Sequence, residues 1–149
     1  MNAVSPRHAI RRATPRAAPP IVLSTADEGR LSRLAMAASH RATEVAERLL
    51  GEIDRARLVP PERMPPDVVA MHSHVEYRDA ATGSVRRVQL VYPDEADISS
   101  GRISVLTLVG AALLGLSAGR SILWPTQLGH ERVLTALRVS PQPFETAAA

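Results

Sequence analysis

Met64-Pro65-Pro66-Asp67-Val68-Val69-Ala70-Met71-His72-Ser73-His74-Val75-Glu76-Tyr77 separates two kinds of hydrophobic repeat in this chain. Adjacent prolines stop a helix arriving from the amino-terminal side, because proline has no amide proton and its ring crowds the preceding turn. Beyond them Val69, Met71, Ser73, Val75 and Tyr77 recur at every second position, which predicts one face of a strand. Before them the repeat is helical.

Working backward, Pro60-Pro61 closes a stripe made of Ala42, Val45, Ala46, Leu49, Ile53 and Ala56. A second stripe, Leu31, Leu34, Ala35 and Ala38, precedes a break at Ser39-His40-Arg41. Thr25-Ala26-Asp27-Glu28 reads as a capping box, with Glu28 reaching back to the Thr25 amide. Two apolar seams and a short connection predict an antiparallel helical hairpin over residues 25–58, with arms of roughly 20–25 Å. Order is expected to begin at Ile21-Val22-Leu23.

Working forward, Asp79-Ala80-Ala81-Thr82-Gly83 reads as a turn into a strand bearing Val88, Leu90 and Tyr92. Pro93 closes that strand, and Asp94-Glu95-Ala96-Asp97 forms an acidic loop. Residues 103–108 read as a third strand, with Leu106 and Leu108 on one side. Val109, Ala112, Leu113 and Leu116 fit a short helix stopped by Gly119. Residues 122–124 and 133–139 supply two more strands around a turn at Gly129. The expected class is α+β, one short helix on an antiparallel sheet, preceded by the hairpin.

Charge separates along the chain. Residues 1–20 hold four arginines and no acid, while the remainder holds 14 arginines against 15 acids. The folded part is close to neutral, and its totals demand no basic face for nucleic acid. The Arg/Pro-rich tail, residues 1–20, is expected to be a disordered cytoplasmic extension, in preference to an organelle transit peptide, with weak nucleic-acid contact a candidate role. There is no Cys, which excludes disulfides, thiol catalysis and cysteine-bound zinc. The longest apolar run, residues 103–116, is too short to span a bilayer, and the amino-terminal segment lacks a secretory core. A cytoplasmic monomer is expected.

Chemistry-bearing groups are sparse. His72 and His74, two apart on the expected strand, would share a side and could hold a metal only with a third ligand; a polar face beside Glu76 is the plainer reading. Glu44 and Glu47 suit the start of the second hairpin helix, where carboxylates complement the helix dipole; the alternative is a carboxylate pair that holds a divalent ion in another protein's active site. Trp124 reads as a core or rim packing residue, with a partner hot spot as the alternative. No nucleophile elbow or phosphate loop is present. No catalytic residue, cofactor or metal is therefore expected.

Several segments resemble the regulator of nucleoside diphosphate kinase family: Glu52-Ile53-Asp54-Arg55-Ala56, then Met64 to Met71 as quoted above, then Leu90-Val91-Tyr92-Pro93, and Ile103-Ser104-Val105 followed by Val109-Gly110-Ala111-Ala112-Leu113-Leu114-Gly115-Leu116. That family is similar to the Gre-type transcript cleavage factors. The resemblance implies a short coiled-coil hairpin over residues 21–62 and an FKBP-like, Gre-type carboxyl-terminal domain over residues 63–149. It implies docking on bacterial RNA polymerase at the secondary-channel rim, through Leu106, Thr107, Leu108, Val109, Gly110 and Ala111. Glu95-Ala96-Asp97 corresponds to the Gre acidic loop. The Gre factors carry carboxylates at the tip of a long coiled coil, which help hold the catalytic magnesium; Ser39-His40-Arg41 offers none. Leu108 stands where the family usually has Pro, and residues 125–130 replace its Pro-Gly-Gly turn. The implied function is modulation of elongation without transcript cleavage. A peptidyl-prolyl isomerase, suggested by an FKBP-like fold, and a direct regulator of nucleoside diphosphate kinase are the alternatives.

Overall fold

The computed structural model describes residues 19–125 and 131–145. Most of the expected tail, and the turn expected at Gly129, lie outside the described residues.

The hairpin comprises α1 (Thr25–Ala37) and α2 (Thr43–Arg55). Ser24 caps α1, its hydroxyl accepting the Ala26 amide at 3.0 Å. The box expected on Thr25 does not form: Thr25 is already helical, the cap falls one residue earlier on Ser24, and Glu28 accepts from Ser32 instead. Leu31, Ala35 and Ala38 are buried on one side of the seam, and Ala46, Leu49 and Ile53 on the other.

The two ends of the hairpin are tied by a parallel strand pair, β1 (Val22–Ser24) and β2 (Arg57–Val59), with Val22 opposite Arg57. The Val22 amide also donates to the Gly115 carbonyl at 3.1 Å, so β1 fastens the hairpin to the rest of the molecule. Gly115 has φ 79°, and a Cβ there would stand 2.9 Å from that of Ile21, so this close approach requires glycine.

The remaining elements are β3 (His74–Asp79), β4 (Ser84–Val91), β5 (Arg102–Ser104), α3 (Leu108–Leu113), β6 (Ser121–Pro125) and β7 (Glu131–Ser140). They form a five-stranded sheet in the order β5-β4-β3-β7-β6. The antiparallel, FKBP-like domain implied above is incorrect. β5 runs parallel to β4, with Leu90 opposite Ile103, so the sheet is mixed, and the described chain has three α-helices. The cause lies between the strands: 3-10 turns at Pro93–Glu95 and Ile98–Ser100, followed by Gly101 at φ 75°, carry the chain back before β5 starts.

Two strand boundaries also move. Val69 does not begin β3; its amide donates to the Leu116 carbonyl and its carbonyl accepts from Gly115. Residues 70–73 then turn, with the Ser73 hydroxyl accepting the Ala70 amide at 2.9 Å and His72 at φ 73°. The strand expected over residues 103–108 ends at Ser104, so Leu106 and Leu108 do not alternate along it.

One apolar cluster joins these parts. Val75, Tyr77, Leu90, Ile122, Leu134 and the buried side of α3 pack with Leu31, Ala35, Leu49 and Ile53 of the hairpin.

Candidate functional site

The segment after β5 is organised by two short polar side chains. The Ser104 hydroxyl accepts the Leu106 amide at 2.9 Å, and its carbonyl accepts both the amide and the hydroxyl of Thr107, at 3.1 and 2.8 Å. Thr107 then caps α3, its Oγ1 accepting the Gly110 amide at 3.0 Å. A threonine at this position satisfies one of the amides that a helix start leaves without an intrahelical partner. Gly110 completes the arrangement. A Cβ there would stand 2.3 Å from the Ser104 carbonyl oxygen, so the helix can approach β5 only because this residue is glycine.

The six residues expected to contact a partner divide accordingly. Thr107 is exposed, and Leu106, Leu108 and Val109 are partly buried, packed on the core yet still reaching solvent. Gly110 and Ala111 are buried and hold the ledge from beneath. The surface that results is a small apolar ledge around one hydroxyl, fixed by its own backbone.

A second constellation lies between α1 and the end of β4. The Arg30 guanidinium stacks 3.6 Å from the Tyr92 ring centroid, and His72 meets the same ring edge-on at 5.9 Å. Glu95 Oε1 lies 2.8 Å from His72 Nε2 and accepts the Tyr92 amide at 3.1 Å. His72 hydrogen bonding and the Tyr92 amide hold the Glu95 carboxyl below its ordinary range. Burial pushes the Tyr92 phenol up to about 12, assisted by the Asp27 charge, so it stays protonated and donates to Asp27. Burial raises Asp27 as well. No periodic pattern marks this joint, because its members come from α1, the turn at residues 70–73 and the 3-10 turn that follows β4. His72 and His74 do not form the expected pair on one strand, since His72 occupies the turn at φ 73° and only His74 belongs to β3. Desolvation lowers His74 from its ordinary 6.5, and its ring meets Phe144 edge-on.

At the hairpin tip, the Ser39 carbonyl accepts the Thr43 hydroxyl at 2.7 Å, and His40 and Arg41 are exposed. Glu44 and Glu47 follow in α2, past the tip. Trp124 is buried, with the Arg48 guanidinium 4.8 Å above its ring, so it ties the sheet to α2. Among the described residues no three of His, Cys, Asp and Glu gather to hold a metal ion, and no helix is long and apolar enough to cross a membrane.

This geometry can be set beside known proteins. The family described as "Transcription elongation factor, GreA/GreB, C-term" matches residues 64–141, and "Rnk N-terminus" matches residues 19–59. The regulator of nucleoside diphosphate kinase of Escherichia coli (strain K12) is 39% identical over 125 residues, covering 84% of this chain and 92% of that protein. The chain belongs to the regulator of nucleoside diphosphate kinase family. Its carboxyl-terminal part is shared with transcription elongation factors: GreA of Thermodesulfovibrio yellowstonii is 33% identical over 76 residues, 51% of this chain and 48% of that one. Among solved structures, a prokaryotic transcription elongation factor GreA/GreB from Nitrosomonas europaea superposes with a TM-score of 0.64 at 36% identity, over 83% of this chain and 99% of that one. The mixed sheet is thus the Gre carboxyl-terminal fold. The regulator family combines this fold with its own amino-terminal hairpin, here α1 and α2.

Proposed function

We propose that this protein binds bacterial RNA polymerase at the rim of the secondary channel and modulates elongation without stimulating transcript cleavage. The observation that carries the reading is the ledge of exposed Thr107 among the partly buried Leu106, Leu108 and Val109, held by the Ser104 and Thr107 caps. Gly110 and Ala111 support it from the core. A pre-formed apolar patch with a central polar group suits a protein contact, because little ordering entropy remains to be lost on docking. In this reading the hairpin of residues 21–62 enters the channel, and the domain of residues 63–149 holds the rim. The tip presents Ser39, His40 and Arg41 and no carboxylate pair to hold a magnesium ion, so in this reading the protein acts by occupancy and not as an enzyme. The isomerase alternative rested on an FKBP-like fold and goes with it.

Thr107→Asp tests the ledge cleanly. Aspartate keeps the helix cap on the Gly110 amide but cannot donate to the Ser104 carbonyl, so a modest loss of stability accompanies the charge placed in the apolar surface. Polymerase affinity, measured against immobilised core enzyme, is expected to weaken about tenfold or more, in a protein that stays folded with a melting midpoint lower by only a few degrees. Unaltered affinity in a stable variant removes the ledge as the docking site. Added to backtracked complexes, the wild-type protein should leave the RNA length unchanged; shortening of the RNA refutes the occupancy mechanism. The name of the E. coli relative keeps one second reading, direct contact with nucleoside diphosphate kinase. Capture of the kinase in place of polymerase, with purified components, selects it.

A further inference from the structure

The solvent face of the sheet carries a charge pattern that the totals conceal. Register places His74 beside Gln89 and Ser140, and Gln89 beside Arg102. On the next rung Glu76 stands between Arg87 and Arg138, and on the one after that Arg78 lies between Val85 and Thr135. Side chains directly opposite on adjacent strands share a face, so four arginines gather here, while Val75 and Tyr77 of β3 point into the core. All four arginines are exposed.

Of the acids nearby, Glu76 and Asp97 are committed, whereas Glu145 lines the cleft beside Arg138. Glu76 accepts from Arg87 at 2.8 Å, and Asp97 pairs with Arg102 at 3.5 Å. Among the described residues no carboxylate pairs with Arg78 or Arg138. Phe144 stands amid this charge, with the Arg138 guanidinium 4.5 Å and the Arg87 guanidinium 5.6 Å from its ring centroid. A shallow cleft opens on each side of it. One, of about 440 Å³, is lined by His74, Arg87 and Arg102; the other, of about 470 Å³, is lined by Arg138 and Val139.

We infer that this face binds single-stranded nucleic acid, the arginines holding phosphates and Phe144 offering a stacking plane to bases seated in the two clefts. Single strands are favoured over duplex because a partly buried ring lying on a sheet face can meet bases only when they are unpaired. The surface is distinct from the ledge after β5 and does not depend on polymerase docking.

The test is fluorescence anisotropy of the full chain with a labelled oligouridylate over a range of salt. Arg78→Glu/Arg138→Glu leaves the Glu76–Arg87 pair intact. Arg33→Glu/Arg41→Glu on the hairpin changes net charge equally and retains the same amino-terminal arginines. The face variant should lose about tenfold or more in affinity, and its salt slope should fall by about 1.4, two phosphate contacts at about 0.7 each. The hairpin variant should bind nearly as wild type. Phe144→Leu should weaken binding roughly fivefold or more with the slope retained, as loss of stacking requires. Equal losses in the two charge-reversed proteins would mean that net charge alone attracts RNA, and the proposal fails. It fails equally if duplex DNA binds as tightly as the oligouridylate. Wild-type RNA binding by the face variant together with lost polymerase affinity makes the face a protein contact, which also overturns it.

Discussion

Asp79, at the end of β3, is the most confined carboxylate among the described residues. Its side chain accepts from Arg132 of β7 and from the Ala81 amide, which also closes the turn into β4. Burial alone would raise this carboxyl. The Arg132 hydrogen bond and charge, with the Ala81 amide, outweigh burial and hold it below its ordinary 3.8. A depressed carboxylate adds stability that is fully present above the unfolded-state value and lost as pH falls through the folded one. Asp79→Asn should therefore cost about 1–2 kcal/mol at neutral pH, since a charged hydrogen bond is lost while Arg132 keeps partial access to water. The deficit relative to wild type should shrink as the pH is lowered below 3.8. Denaturation in urea at neutral and acidic pH measures it, and a deficit that does not change with pH would rule out the ion pair as its source.

At the scale of elements, α3 shows how a local rule can be overruled by packing. Alanine is a better helix residue than glycine by up to about 1 kcal/mol, so propensity alone predicts that Gly110→Ala stabilises α3. The new methyl would instead lie 2.3 Å from the Ser104 carbonyl oxygen and 3.0 Å from Val105 Cα. These are backbone atoms, and moving them breaks the Ser104–Thr107 turn, a cost of about 1–3 kcal/mol that exceeds the gain. Gly110→Ala should lower stability, and thermal unfolding would show it; a raised midpoint would mean that α3 can slide away from β5. The apolar stripes of α1 and α2 were legible because burial of Leu31, Ala35, Leu49 and Ile53 repeats at helical spacing. The parallel pair β1–β2 was not, because three-residue strands separated by a hairpin carry no period and no turn signal. The alternation from Val69 to Tyr77 misled in its first half. There the backbone hydrogen bonds go to Gly115 and Leu116, in a turn that happens to bury Val69, Met71 and Ser73 at every second position. The ledge residues were nameable, but their exposure depends on the Ser104 and Thr107 caps, and the arginine face became visible only once the β3–β7 register was known.

For the molecule as a whole, the question is whether hairpin and sheet are one folding unit. Leu49 of α2 is fully buried in the same cluster as Val75 and Leu90 of the sheet. β1 hydrogen-bonds to Gly115, Arg30 stacks on Tyr92, and Arg48 covers Trp124. A hairpin with arms of about 20 Å has too little seam to be stable alone, since short helices depend on tertiary packing for their stability. The two parts should therefore unfold together. Trp124 is the only tryptophan, so its fluorescence reports the sheet beside α2, while far-ultraviolet circular dichroism is dominated by the hairpin helices. The two signals should trace one transition. Leu49→Ala, which removes a buried side chain from the hairpin, should destabilise by about 2–5 kcal/mol and displace both curves equally. If the circular dichroism transition moves while that of Trp124 stays in place, the hairpin is a separate unit merely resting on the sheet. That result would also change how the protein could work, because a hairpin able to detach could leave a docking site while the sheet domain remained bound.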